Sequence, residues 1–303
     1  MKKLLIISGK GGTGKTTIAS SFIGFSDCKS YGDCDVDAPN LHLTRALGKG
    51  ASFEEKPFVG SKKAKIDQDK CLSCGKCQSL CRFGAVEALP SGKYQINELF
   101  CEGCEVCFNF SSCDAISLYD DVSGKSTVYQ DEERIFSDAE LKMGRGNSGK
   151  LVSFVKARLG EKIRERDGKN NRDGELMIID GAPGIGCVVI ASLSAMDMAL
   201  VVAEPSLSGL HDLKRIVKTA SSFGVKIAVC VNKADLSKEK TAEIESFCQE
   251  EGLFFVGAIP YDKSVSKAVN SGKSMDKIPS KARDAIFSVY EKVVEILFSE
   301  ETN

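Results

Sequence analysis

The sequence predicts an α/β fold on a mostly parallel sheet, with a small cysteine-rich α+β module inserted into it. Three observations lead there. Continuous apolar runs bounded by turn residues alternate with helix-like stretches, the pattern of strands covered on both faces by helices. A glycine-rich stretch, SGKGGTGKTT (8–17), follows the first apolar run and opens a helix, which is the setting a phosphate-binding loop needs. Eight of thirteen cysteines crowd between 71 and 113 and interrupt the alternation there.

In chain order, strands are expected at LLIIS (4–8), LMIID (176–180), MALVVAE (198–204), KIAVCVN (226–232) and LFFVGAI (253–259). Helices are expected at about 15–26, 189–196, 209–222, 238–251, 263–270 and 280–298, where the apolar residues fall on one face. The polar run RERDGKNNRDG (164–174) reads as a surface loop. The last helix has one apolar stripe and mixed charges elsewhere, which suits a core-facing helix rather than a basic membrane-surface one. The interruption divides the chain into 1–59, the first part of a nucleotide-binding domain, 60–120, the inserted module, and 121–303, the second part.

Lysine and arginine number 41 against 42 aspartate and glutamate, so there is no basic field to draw nucleic acid or an anionic membrane. No apolar run approaches the roughly 20 residues of a spanning helix, and no basic-then-apolar leader opens the sequence. A cytoplasmic location is expected, where disulfides seldom persist. Crowded cysteines then point to metal ligation.

In the phosphate loop, Gly9, Gly11, Gly12 and Gly14 let backbone N–H groups converge on phosphate oxygens, with Thr13 and Thr17 beside them. Lys15 is placed to neutralise the β- and γ-phosphates, Thr16 offers a hydroxyl to magnesium, and the helix N-terminus adds its positive end.

The cysteines form CxxCxxCxxxC at 71–81 and CxxCxxC at 101–107, thirty residues later (101 − 71 = 30), with Cys113 beyond. This is the rhythm of a bacterial two-cluster ferredoxin, in which each block's fourth cysteine serves the other cluster. Crossing assigns Cys71, Cys74, Cys77 and Cys113 to one [4Fe–4S] cluster, and Cys81, Cys101, Cys104 and Cys107 to the other. Zinc ribbons have no use for the third cysteine of each block. Arg82 and Asp114 stand where proline usually follows, and Ser111 occupies the register of Cys81. Cys113 is the expected ligand because a thiolate suits iron better than a hydroxyl; the alternative, Ser111 or water facing a labile iron, stays open.

Taken together, these motifs resemble the MinD- and Mrp-like P-loop ATPases of the nitrogenase iron-protein class, in the form that carries an inserted two-[4Fe–4S] ferredoxin-like domain. The resemblance runs nearly the whole length, through DCDVDAPNLHL (33–43), the cysteine block, NSGKLVSFVKAR (147–158), DGAPGIGC (180–187), EPSLSGLHDLKR (204–215) and NKAD (232–235). It implies a P-loop NTPase with a deviant Walker A loop, in which Lys10 reaches the partner's phosphates across a nucleotide-dependent homodimer. It implies that Asp33 and Asp35 orient magnesium waters and the attacking water, with Asp37 able to share the work. The other reading of these acids is an Asp-rich turn capping a helix. Asp180, at a strand end, is implied to attend magnesium. Asn232 and Pro260 are implied to flank the base. Physics alone does not choose guanine or adenine, and ATP follows from the resemblance.

The implied activity is ATP hydrolysis coupled through a dimer switch to electron transfer through the two clusters, with a redox or client protein as partner. The alternative is an assembly ATPase that delivers a cluster or metal cofactor to a client. Cys34, Cys187 and Cys230 read as small buried thiols, and His211 as a surface or capping residue.

Overall fold

A computed structural model describes residues 1–48, 50–168 and 175–299. Eleven strands and ten α-helices lie among them. The chain begins β1 (Lys2–Ser8), α1 (Lys15–Phe25), β2 (Ser30–Asp33), α2 (His42–Arg45) and β3 (Ser52–Ile66). It continues α3 (Lys76–Leu80), β4 (Val86–Ala88), β5 (Tyr94–Ile96), α4 (Val106–Asn109), β6 (Ile116–Gln130) and β7 (Ile135–Leu141). Next come α5 (Ser148–Asp167), β8 (Leu176–Pro183), α6 (Cys187–Leu193), β9 (Met198–Ala203), α7 (Leu207–Ser221) and β10 (Lys226–Asn232). The chain closes with α8 (Lys238–Glu250), β11 (Phe254–Ile259), α9 (Lys263–Asn270) and α10 (Lys281–Phe298).

Contacts divide the chain into two compact units, one of Met1–Glu55, Ser126–Glu140 and Ser148–Asn303, the other of Lys56–Lys125 and Leu141–Asn147. The nine-stranded sheet runs β11-β10-β9-β1-β8-β2-β7-β6-β3. From β11 to β7 the neighbours are parallel. Leu4, Leu5, Ile6 and Ile7 of β1 are all fully buried, which is why this strand reads as an unbroken apolar run: helices cover both its faces. The C-terminal helix α10 buries Ala282, Ile286, Val289, Val293 and Leu297, a helical-period stripe that joins α1 and the sheet in one apolar core. No helix among the described residues is long and apolar enough to cross a membrane.

Strands β2 to β7 carry no continuous apolar run of the kind that marks the other five. β2 is only SYGD, and its Gly32 lies where a Cβ would stand 3.1 Å from Ile179 Cδ1. β3 carries FEEK and KKAK among its residues, so no apolar run marks it. The polar run at 164–174 needs correction in part, because α5 continues to Asp167; residues 169–174 lie outside the described ones. Charged α5 is anchored by Arg158, which is buried and donates to the carbonyls of Ser126 and Glu54.

Candidate functional site

The phosphate loop joins β1 to α1. Gly14 caps α1 at φ +91°, and a Cβ there would stand 2.3 Å from Asn232 Nδ2. That close approach is used: Asn232 Nδ2 donates to Thr13 O at 2.6 Å, and Lys233 Nζ donates to Gly12 O at 3.0 Å. The end of β10 therefore holds the loop open from behind. Gly9 is tight for another reason, since a Cβ would meet Asp212 of α7 at 2.3 Å.

Lys15 is almost completely buried and lies 2.7 Å from Asp180 Oδ1, 3.9 Å from Asp35 Oδ2 and 3.3 Å from Thr16 Oγ1. Burial works against its ammonium, but Asp180, Asp33 and Asp35 outweigh it and hold the pKa above the ordinary lysine value. Asp180 is fully buried and its second oxygen, Oδ2, has no hydrogen-bond partner. A buried carboxylate oxygen without a partner is costly. Lys15 Nζ reaches both this carboxyl and the Thr16 hydroxyl, and a free carboxylate oxygen is the kind of hard donor magnesium takes.

The hydrogen bonds of Asp33 agree with the second reading of these acids, the Asp-rich turn. Oδ1 accepts the N–H of Asp35, and Oδ2 accepts those of Asn40 and Leu41, so both oxygens hold the 33–41 turn together. Burial first, then the charge of Asp180, pushes its pKa up to about 7. Asp35 is left facing the cavity, its carboxyl also raised by burial with Lys15 opposing. Among the described residues no group of three or more His, Cys, Asp or Glu side chains is placed to hold a metal ion.

A cavity of about 320 Å³ is lined by Gly11–Thr17 and, opposite, by Asp35, Leu43, Thr44 and Lys273. A second, of about 280 Å³, shares Gly12, Gly14 and Thr17 with it and extends to Asn232, Ile259 and Asn270. Asn232 thus lines a base-sized space. Pro260 is not among the residues lining either cavity, whereas its neighbour Ile259 lines the second together with Val265 and Val269. Lys273, on the rim of the first cavity, carried no sequence signal.

Lys10 makes a contact within its own chain: its Nζ lies 2.9 Å from Glu204 Oε2 and 3.4 Å from Ser208 Oγ. Glu204 also pairs with Lys233 at 2.5 Å. Cys34 and Cys230 are buried as expected, whereas Cys187 is exposed at the start of α6, 3.7 Å from Ser148 Oγ. The turn that begins α6 puts that thiol on the outside. His211 is exposed.

In the second unit, Ala64, Ile66, Ala85, Val86, Cys101, Ala115 and Ile116 form a small core, and Cys71, Cys77, Cys81, Cys107 and Cys113 pack on it. Cys74 and Cys104 are exposed. Burial, and then the neighbouring thiols of Cys101, Cys104 and Cys81, raise the pKa of Cys107. Burial, and then Cys71 and Cys74, raise that of Cys77. Cys113 is lowered by the Ala115 N–H and the Ser111 hydroxyl, with the Leu72 N–H adding to them. Ser111 donates to the Cys113 carbonyl and accepts its N–H, so its hydroxyl is largely engaged by the backbone.

Residues 4–275 match the CobQ/CobB/MinD/ParA nucleotide binding domain. The chain belongs to this family. An uncharacterized protein of Methanocaldococcus jannaschii is 29% identical over 97% of both chains. The cytosolic Fe-S cluster assembly factor Nubp1 homolog of Drosophila grimshawi is 21% identical over 96% of this chain and 81% of its own. The fold is that of the septum site-determining protein MinD of Pyrococcus horikoshii, solved with Mg-ADP, at TM-score 0.54 and 17% identity over 98% of this chain and 97% of that one. The family match covers the loop at 8–17 and places it in a nucleotide binding domain.

Proposed function

We propose that this chain binds and hydrolyses ATP, and that its second unit holds two [4Fe–4S] clusters whose electron transfer is coupled to the nucleotide cycle. The thiol arrangement carries the reading. Cys81, from the first block, lies within electrostatic reach of Cys107, as do Cys101 and Cys104, while the Leu72 amide of the first block bears on Cys113. Eight soft thiols in two crossed sets of four fit iron–sulfur clusters.

At the nucleotide, Lys15 meets the β- and γ-phosphates, Asp35 addresses water, and Asn232 lies on the base side. Thr16 and Asp180 Oδ2 are the groups to hold magnesium, which supplies positive charge to the phosphates when bound. Positioning and charge of this kind are most of what phosphoryl transfer asks of a protein. The Mg-ADP bound by the Pyrococcus MinD favours adenine. Lys10 leaves Glu204 to act across a homodimer, and ATP shifts the population by binding that arrangement more tightly.

Full cysteine ligation favours retained clusters and hence electron transfer to a redox partner. A second reading, delivery of a cluster to a client protein, is favoured by the similarity to the Nubp1 homolog. The test is to reconstitute Cys113→Ala and Ser111→Ala and compare iron, sulfide and the paramagnetic resonance signal with the parent. We expect Cys113→Ala to degrade one cluster to a three-iron form and Ser111→Ala to leave both whole. An unchanged iron count in Cys113→Ala removes that ligand and the reading built on it.

A further inference from the structure

The thirty-residue repeat relating the two cysteine blocks extends back to a pair of lysines, Lys63 and Lys93 (93 − 63 = 30). The structure crosses them. Lys63 Nζ donates to the carbonyls of Glu98 and Cys101, each at 2.6 Å. Lys93 Nζ donates to the carbonyl of Gln68 at 2.5 Å, the position equivalent to Glu98 (98 − 68 = 30). The backbone crosses in the same way: Asp67 N–H donates to Ala115 O at 2.7 Å, and Asn97 N–H donates to Ala85 O at 2.8 Å. Each lysine therefore supports the turn leading into the other repeat's block.

The two lysines are not equal. Lys63 is only 5% exposed and reaches the carbonyl of Cys101 itself. Lys93 is half-buried, and its ammonium stops at Gln68. Among the described residues Lys63 forms no ion pair with a carboxylate, and its acceptors are two neutral carbonyls. Burying such a charge is costly unless something nearby is negative. A cubane held by four thiolates is an anion and gains a further negative charge on one-electron reduction. Its potential responds to net charge and to the hydrogen bonds around it. A fixed buried cation stabilises the reduced form more than the oxidised one. Glu102 and Asp114 are exposed, so water and salt screen their opposing charge far more than they screen Lys63.

We propose that Lys63 sets the potential of the cluster held by Cys81, Cys101, Cys104 and Cys107, keeping it the higher of the two. The clusters are then inequivalent, and an electron entering the unit settles at that end. The proposal rests on the iron–sulfur reading above. Its test is an anaerobic redox titration of the reconstituted full chain, followed by paramagnetic resonance, on the parent, Lys63→Gln, Lys63→Arg and Lys93→Gln. Lys63→Gln removes the charge and keeps N–H donors. The parent should show two one-electron waves, the upper one replaced by that of a three-iron form in Cys104→Ala. Lys63→Gln should lower that wave alone, Lys63→Arg should leave it near the parent value, and Lys93→Gln should move the other wave by less. If Lys63→Gln keeps its iron with both midpoints unmoved, or shifts both waves together, the proposal is overturned. It is overturned equally if Lys63→Gln loses iron that Lys63→Arg retains, because the lysine is then only a turn support. A parent chain that takes up no iron overturns the iron–sulfur reading itself, and with it this proposal, before any variant is compared.

Discussion

Asp180→Asn keeps the shape of the side chain and removes the charge that faces Lys15 at 2.7 Å. Breaking a buried ion pair by removing one partner typically costs about 3–5 kcal/mol, because the other charge is left buried. Here Asp35, at 3.9 Å, still faces the ammonium, and at an effective dielectric near 20 a pair at about 4 Å retains a substantial attraction. The expected loss is therefore below that range, about 2–3 kcal/mol, measured by urea unfolding without nucleotide. Lys15→Met in the Asp180→Asn background should cost much less than in the parent, with a coupling of about 2 kcal/mol in the double-mutant cycle. Additivity within about 0.5 kcal/mol would refute the argument, since the pair would then not be the electrostatic centre of the site.

Gly14→Ala should destabilise the protein by about 2–3 kcal/mol, combining left-handed strain with loss of the Asn232–Thr13 hydrogen bond; a urea midpoint equal to the parent's contradicts this. Asp33 holds its proton up to about pH 7 when folded and only to about 4 when unfolded, so its contribution is complete below about pH 4 and is lost as pH rises through about 7. The parent's stability relative to Asp33→Asn should fall across that window, and parallel pH profiles would remove Asp33 as the cause. Asp35→Ala should lower turnover with little change in nucleotide affinity; an equal collapse of both assigns Asp35 to binding. Lys10→Ala should keep nucleotide binding while losing ATP-dependent dimerisation, and light scattering that still detects an ATP-induced dimer rules out its action across subunits.

The central strands were legible because β1, β8, β9 and β10 lie between helix layers and so read as continuous apolar runs. The short β2 and the charged β3 and β6 escaped notice because their residues alternate or carry Gly and Lys, which leaves no such run. The phosphate loop could be read residue by residue, since its glycines serve local backbone geometry. What could not be read were contacts far apart in the chain. Asp180 meets Lys15 from 165 residues away, and Glu204 has no motif that marks it as the partner of Lys10. Lys63 and Lys93 were readable in principle, since extending the repeat backwards aligns them, but lysine is too common for the match to stand out without the crossed hydrogen bonds.

The most direct test of the account is an anaerobic titration of the reconstituted chain with and without MgATP, following midpoint potentials and iron content in the same sample. Iron and sulfide for two clusters should be found and retained through turnover, with at least one midpoint displaced when MgATP is present. Potentials indifferent to MgATP, or iron lost from the chain as ATP is hydrolysed, would contradict it.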